Sequence, residues 1–135
     1  MYPTKEEILK EKPKFRSGTF LIVKLWKSTS FKKWKTDKKW IKIEKLILLI
    51  EALCTLYRKK NPEIILDNEY YFETRKRIIH LNKNNPSIIS TLHELAHYLF
   101  KANELKACRW SYWIFKECFL KSLEKLNWNG HMLRK

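Results

Sequence analysis

Only two glycines, Gly18 and Gly130, stand in this chain of 135 residues. Glycine provides the left-handed backbone and close approach that phosphate-cradling loops need, so neither G-x-x-x-x-G-K nor G-x-G-x-x-G can be written anywhere in it. Nucleotide folds built on those loops are excluded, as is a glycine-rich, loop-dominated design. The chain must be assembled from regular elements, and 44% hydrophobic against 32% charged residues suffice for one buried core. Uncharged apolar stretches such as 19–23 and 46–50 fall far short of the roughly 20 residues that span a bilayer, so no membrane role is expected. Cys54, Cys108 and Cys118 are odd in number and form no C-x-x-C pair, which points to reduced thiols in a cytoplasmic setting.

Periodicity sets the order of elements. Ile43, Leu46, Ile47, Ile50, Leu53, Cys54 and Tyr57 recur at three and four, predicting a helix over 41–59. Short β-like runs follow at 63–66, 69–72 and 76–81, separated by Asp67-Asn68 and Thr74-Arg75, and predict a small three-stranded antiparallel meander. Asn84, Asn85 and Pro86 mark a helix start, with the helix running from 86 to about 101. Asn103 caps another, whose apolar positions run from Leu105 through Cys108, Tyr112, Phe115, Phe119 and Leu123 to Leu126. The expected fold class is α+β.

The chemistry lies on the first of these last two helices, where His93-Glu94-Leu95-Ala96-His97 forms a complete H-E-x-x-H. Four helical residues advance the azimuth by ~400°, leaving the two imidazoles ~40° apart and one turn along the axis, so both reach one metal ion. Glu94 sits ~100° round from His93, where it is placed to reach a water held at the metal instead of the metal itself. Ile88, Leu92, Leu95 and Leu99 supply the opposite apolar face, so the motif helix is expected to be central. This is the pattern of a zinc-activated hydrolase, with zinc as cofactor and Glu94 as general base.

Such a zinc takes a third protein ligand and keeps its fourth position open. Glu104 is favoured: it lies seven residues beyond His97, past the Ala102-Asn103 break, on a helix able to fold back. Glu117, twenty residues past His97, is the rival. Following the H-E-x-x-H, Glu104-Leu105-Lys106-Ala107 resembles the E-x-x-A signature of gluzincin metallopeptidases, especially the ImmA/IrrE family. Cys108 stands where that family usually has Asn or Asp, and Ala96 where Gly often precedes the second His. The resemblance covers roughly residues 41–125. It implies a minimal zincin-like core of helix, small sheet, H-E-x-x-H helix and C-terminal ligand helix, with His93, His97 and Glu104 as zinc ligands and Glu94 as base. It also implies a protein or peptide substrate added as a strand at the sheet edge, beside residues 77–81 or 69–72.

The first 40 residues have a different character. Between Lys24 and Lys42 eight lysines face one acid, Asp37, and interleave with Trp26, Phe31, Trp34 and Trp40. With 29 Lys plus Arg against 14 Asp plus Glu, the net charge is +15. The expected organisation is a basic N-terminal segment, 1–40, ahead of a metallopeptidase domain, 41–135. Lys32, Lys33, Lys35, Lys38 and Lys39 are candidates to neutralise phosphates, and Trp34 and Trp40 to stack on unpaired bases. The leading expectation is an intracellular zinc endopeptidase whose substrate is a regulatory protein, DNA-bound regulators included. The alternative is a non-catalytic basic nucleic-acid-binding protein on the same scaffold. His80, Tyr98, Arg109, Tyr112 and His131 are weaker candidates for supporting roles, and Trp110 and Trp113 read as packing residues.

Overall fold

The structure, a computed structural model, describes residues 2–134. Thr4 starts the first helix, α1 (Lys5–Lys10), through a reciprocal cap: its hydroxyl accepts from the Glu7 amide while the Glu7 carboxylate accepts from the Thr4 amide. Gly18, with φ at +96°, turns the chain into α2 (Thr19–Ser30). A series of turns over 31–37 leads to α3 (Lys39–Leu56), the helix predicted at 41–59. It stops short of 59 because Arg58 adopts φ +56°, and the Lys59 amide bonds back to the Cys54 carbonyl.

Residues 2–40 do not stand apart in the packing. Val23 and Trp26 on α2 are buried in one core with Leu46, Leu49 and Leu53 of α3, and α1 seats Ile8 against Cys108 and Tyr112. Thr19, Val23, Trp26 and Ser30 form a buried stripe at helical spacing, so the lysines between them occupy the outer face of a core helix.

The sheet corrects the expected meander. Strands β1 (Glu63–Asp67), β2 (Tyr71–Glu73) and β3 (Ile78–Asn82) are ordered β1-β3-β2, with β1 parallel to β3 and β2 antiparallel to it. After Asp67 the chain crosses the end of the sheet instead of folding back, and the Tyr70 side chain in the crossing is anchored beyond β3. Its hydroxyl donates to the Asn85 carbonyl and accepts from the Ser87 amide at 2.7 Å. The central position of β3 agrees with its composition: Ile78, Ile79, His80 and Leu81 are buried in unbroken succession, as both faces of a central strand must be. Both sides of β3 are therefore paired, which removes residues 77–81 as the place for an added strand and leaves the edges of β1 and β2.

Two helices complete the main layer. α4 (Ile88–Phe100) carries the H-E-x-x-H and packs on β2, β3 and α3. Its cap is Ser87, whose hydroxyl accepts from the Ser90 amide; Asn84 and Asn85 instead form a turn around the Asn82 side chain. α5 (Glu104–Cys118) begins at Asn103 as expected, the Asn103 side chain accepting from the Lys106 amide at 2.9 Å. The helix expected to run to Leu126 breaks at Phe119, and a short α6 (Leu120–Glu124) follows. Phe119 leaves helical geometry to bury its ring against Trp26, Phe31 and Phe115. A hairpin of β4 (Asn127–Asn129) and β5 (Met132–Arg134) turns through Gly130 and His131. The described residues thus form a mixed α+β fold with six helices, a three-stranded sheet and a two-stranded one. No helix among them is long and apolar enough to cross a membrane.

Candidate metal centre

The joint between α4 and α5 builds the site. Lys101 takes φ +50°, ending α4, and after Ala102 and Asn103 the chain reverses into α5 with Glu104 as its first residue. Ile88, Leu92, Leu95 and Leu99 are buried, so His93 and His97 are turned towards α5. Three donor atoms converge there. His97 Nε2 lies 3.2 Å from His93 Nε2, and Glu104 Oε1 lies 3.2 Å from His93 Nε2 and 2.7 Å from His97 Nε2. Tetrahedral ligands at ~2.0–2.2 Å from a zinc ion are separated by about 3.3–3.6 Å, so this triangle fits one zinc with a small expansion.

The tautomers are prepared for that role. His97 Nδ1 donates to the Ala102 carbonyl at 2.7 Å, which turns the Nε2 lone pair inward. His93 Nδ1 faces the Cys108 thiol at 3.7 Å. Cys108 therefore occupies the place behind the first histidine, and burial, followed by the charges of Glu104 and Glu94, pushes its thiol up to about 12. It stays protonated, a neighbour of the ligands.

The carboxylates are set apart by their surroundings. Hydrogen bonds with His93 and then His97 hold Glu104 well below the usual carboxylate range. Burial alone acts downward on His97, but its bonds to Glu104 and Ala102 leave it raised. Glu94 is only 8% exposed, and burial raises its pKa against the opposing pull of the two histidines. One of its oxygens lies within 4.8 Å of ring nitrogens on both histidines. Among the described residues none hydrogen-bonds to it, which leaves its lone pairs for a water.

His131, at the hairpin tip, places Nε2 3.9 Å from the second oxygen of Glu104, and the Tyr2 ring stacks on it at 4.3 Å. Asn129-Gly130 between Trp128 and Met132 is the hairpin signal in the sequence that leads to this placement. Tyr70 is a further residue that the motif did not reveal. Its hydroxyl stands at the start of α4, and its pKa is raised chiefly by burial, with Glu94 contributing.

The remaining candidates lie elsewhere. Glu117 is on the exposed side of α5, 3.9 Å from Lys24. Arg109 donates to the Glu7 carbonyl and to Glu11, tying α5 to α1. Tyr98 donates to the Lys60 carbonyl, and Tyr112 packs on Ile8. His80 is a brace within the sheet: its ring nitrogens face Asp67 on β1 at 3.2 Å and Glu73 on β2 at 2.9 Å, with Tyr71 stacked on its ring at 3.7 Å. Trp110 is buried among Phe15, Tyr57 and Phe100, and Trp113 packs against Tyr112. Compared with protein-family models, with curated proteins and with solved structures, the chain matches none.

Proposed function

We propose that this chain is a zinc-dependent endopeptidase of the gluzincin kind, resembling the ImmA/IrrE family. The observation that carries the reading is the convergence of His93 Nε2, His97 Nε2 and Glu104 Oε1 within 3.2 Å, beside a buried Glu94 with no hydrogen-bond partner among the described residues. Zinc, when bound by the two histidines and Glu104, supplies a Lewis acid that lowers the pKa of water towards ~7 and polarises a carbonyl. Glu94 accepts the proton of the attacking water and returns it to the leaving amine, and burial, the largest influence on it, raises its basicity. Ala102 and Cys108 hold the two imidazole rings from behind. The edge of β2, on the side of the sheet against α4, receives the substrate backbone as an added strand. An intracellular regulatory protein is the substrate class proposed, and a DNA-bound one suits the charge of +15.

Elemental analysis and peptide-library digestion test this together. Purified protein is expected to hold one zinc per chain and to cleave peptides. Glu94→Gln should keep the zinc and lose cleavage by a factor on the order of 10² or more, as expected for removal of a general base. Failure to bind zinc at neutral pH, or loss of zinc in Glu94→Gln, would show the roles to be wrong.

A further inference from the structure

The lysine-rich region is sorted by the fold into two groups. Lys24 lies 3.9 Å from Glu117, Lys27 donates to the Cys118 carbonyl and lies over the Phe119 ring, and Lys42 lies over Trp34. Asp37, the sole acid between Lys24 and Lys42, is largely buried in an ion pair with Lys45 from α3. Its charge is consumed inside the fold. Lys32, Lys33, Lys35, Lys38 and Lys39 are exposed, and among the described residues their side chains have no carboxylate, carbonyl or ring partner. These five sit within eight consecutive residues that are folded back by the Trp34-to-Phe31, Thr36-to-Lys33 and Asp37-to-Lys33 amide bonds.

The tryptophans divide in the same way. Trp34 is packed between Phe31 and Trp26, and the Trp26 indole donates to the Lys45 carbonyl; neither offers a free face. Trp40 is 60% exposed and makes no ring contact among the described residues. It follows Lys38 and Lys39 directly, at the start of α3. So exposed an indole contributes little to folding, because apolar surface stabilises only when removed from water, and its ring remains available to a partner.

We propose that this surface, formed by the 31–38 turn and the first turn of α3, binds single-stranded nucleic acid. The five lysines contact phosphates, and an unpaired base stacks on Trp40. A duplex hides its base faces and leaves Trp40 without a partner. An anionic membrane is a poorer occupant: along the exposed face of α3 the acid Glu44 stands between Trp40 and Leu48, so no continuous apolar strip is presented. The surface is separate from the metal centre, and its test does not depend on peptidase activity.

The test uses fluorescently labelled strands of about 20 nucleotides: oligo-dT, oligo-rU, an abasic phosphodiester and a duplex, titrated by anisotropy at several salt concentrations. Five phosphate contacts on a single strand give a slope of log K against log salt of about −3.5. Replacing Lys32, Lys33, Lys35, Lys38 and Lys39 by Gln should remove most of that slope. Trp40→Ala should weaken oligo-dT or oligo-rU binding about tenfold while leaving the abasic strand and the duplex unchanged. Strand binding should quench wild-type tryptophan emission, and Trp40→Phe should abolish that quenching while zinc content stays the same. The proposal is overturned by equal affinity of the five-Gln variant and wild type or by equal binding of abasic and base-bearing strands.

Discussion

At the scale of single residues, the site depends on which carboxylate faces the histidines. Glu104→Ala should lower zinc affinity by 100-fold or more, on the order of losing one charged ligand, whereas Glu117→Ala, half-exposed and remote, should leave it within about twofold. Competition with a chromogenic chelator measures both, and the reverse ranking would refute the ligand set. Cys108 tests the shell behind the ligands. Its thiol is the group facing His93 Nδ1, so Cys108→Ala should reduce zinc affinity about tenfold through a less firmly oriented ring. Unchanged affinity would make Cys108 packing alone. The facing of His93 and His97 was legible because spacing along one helix is a local property, and the structure brings Glu104 beside them across the joint between α4 and α5. The contact of Cys108 with His93 and the seat of Tyr70 at the start of α4 were not, since each depends on how separate elements meet.

At the scale of elements, the joint between α4 and α5 decides how Glu104 faces His93 and His97. Asn103→Ala removes the cap of α5 and should cost about 1 kcal/mol of stability, measured by chemical denaturation. Because Glu104 is the next residue, zinc affinity should fall as well. Ser87→Ala removes the cap at the far end of α4 at similar cost, but should leave zinc affinity unchanged. Equal zinc affinities in the two variants would show that the Asn103 cap does not set Glu104. The caps also mark how far local reading extends. Asn103 was identified from the sequence, while at α4 three polar residues around a proline competed and the geometry selected Ser87.

At the scale of the molecule, stability should depend on pH through the same cluster. In protein stripped of metal by a chelator, Glu104 has a folded pKa below its unfolded one. Its contribution is present above the ordinary carboxylate value and lost as pH falls. His97 has a folded pKa above its unfolded one. Its contribution is complete below the ordinary histidine value and lost as pH rises through the raised value. Glu94, raised by burial, adds a cost to folding above the ordinary carboxylate range. The stripped protein should therefore be most stable between about pH 4.5 and 6.5. Zinc competes with the proton on His97, so zinc should stabilise most at higher pH, by about 2.7 kcal/mol at 100-fold excess over Kd. Thermal midpoints across pH, with and without zinc, check both limbs. A stripped protein whose stability keeps rising above pH 7 would contradict the assignment.

Periodicity located α3, α4 and α5, because burial of one face repeats every three to four residues and is written locally. The paired histidines and the Asn103 cap are local in the same sense. Strand order is not: β3 lies between β1 and β2, and the crossing that puts it there is accompanied by Tyr70 held at the start of α4, a contact that no spacing within residues 63–82 encodes. The role of the lysine-rich region was divided by tertiary packing too. Composition showed eight lysines, one acid and three tryptophans between 24 and 42, yet only the fold buries Asp37 with Lys45, encloses Trp26 and Trp34, and leaves Trp40 in solvent. Charge and aromatic content are properties of the chain, whereas availability depends on which neighbours have already been satisfied.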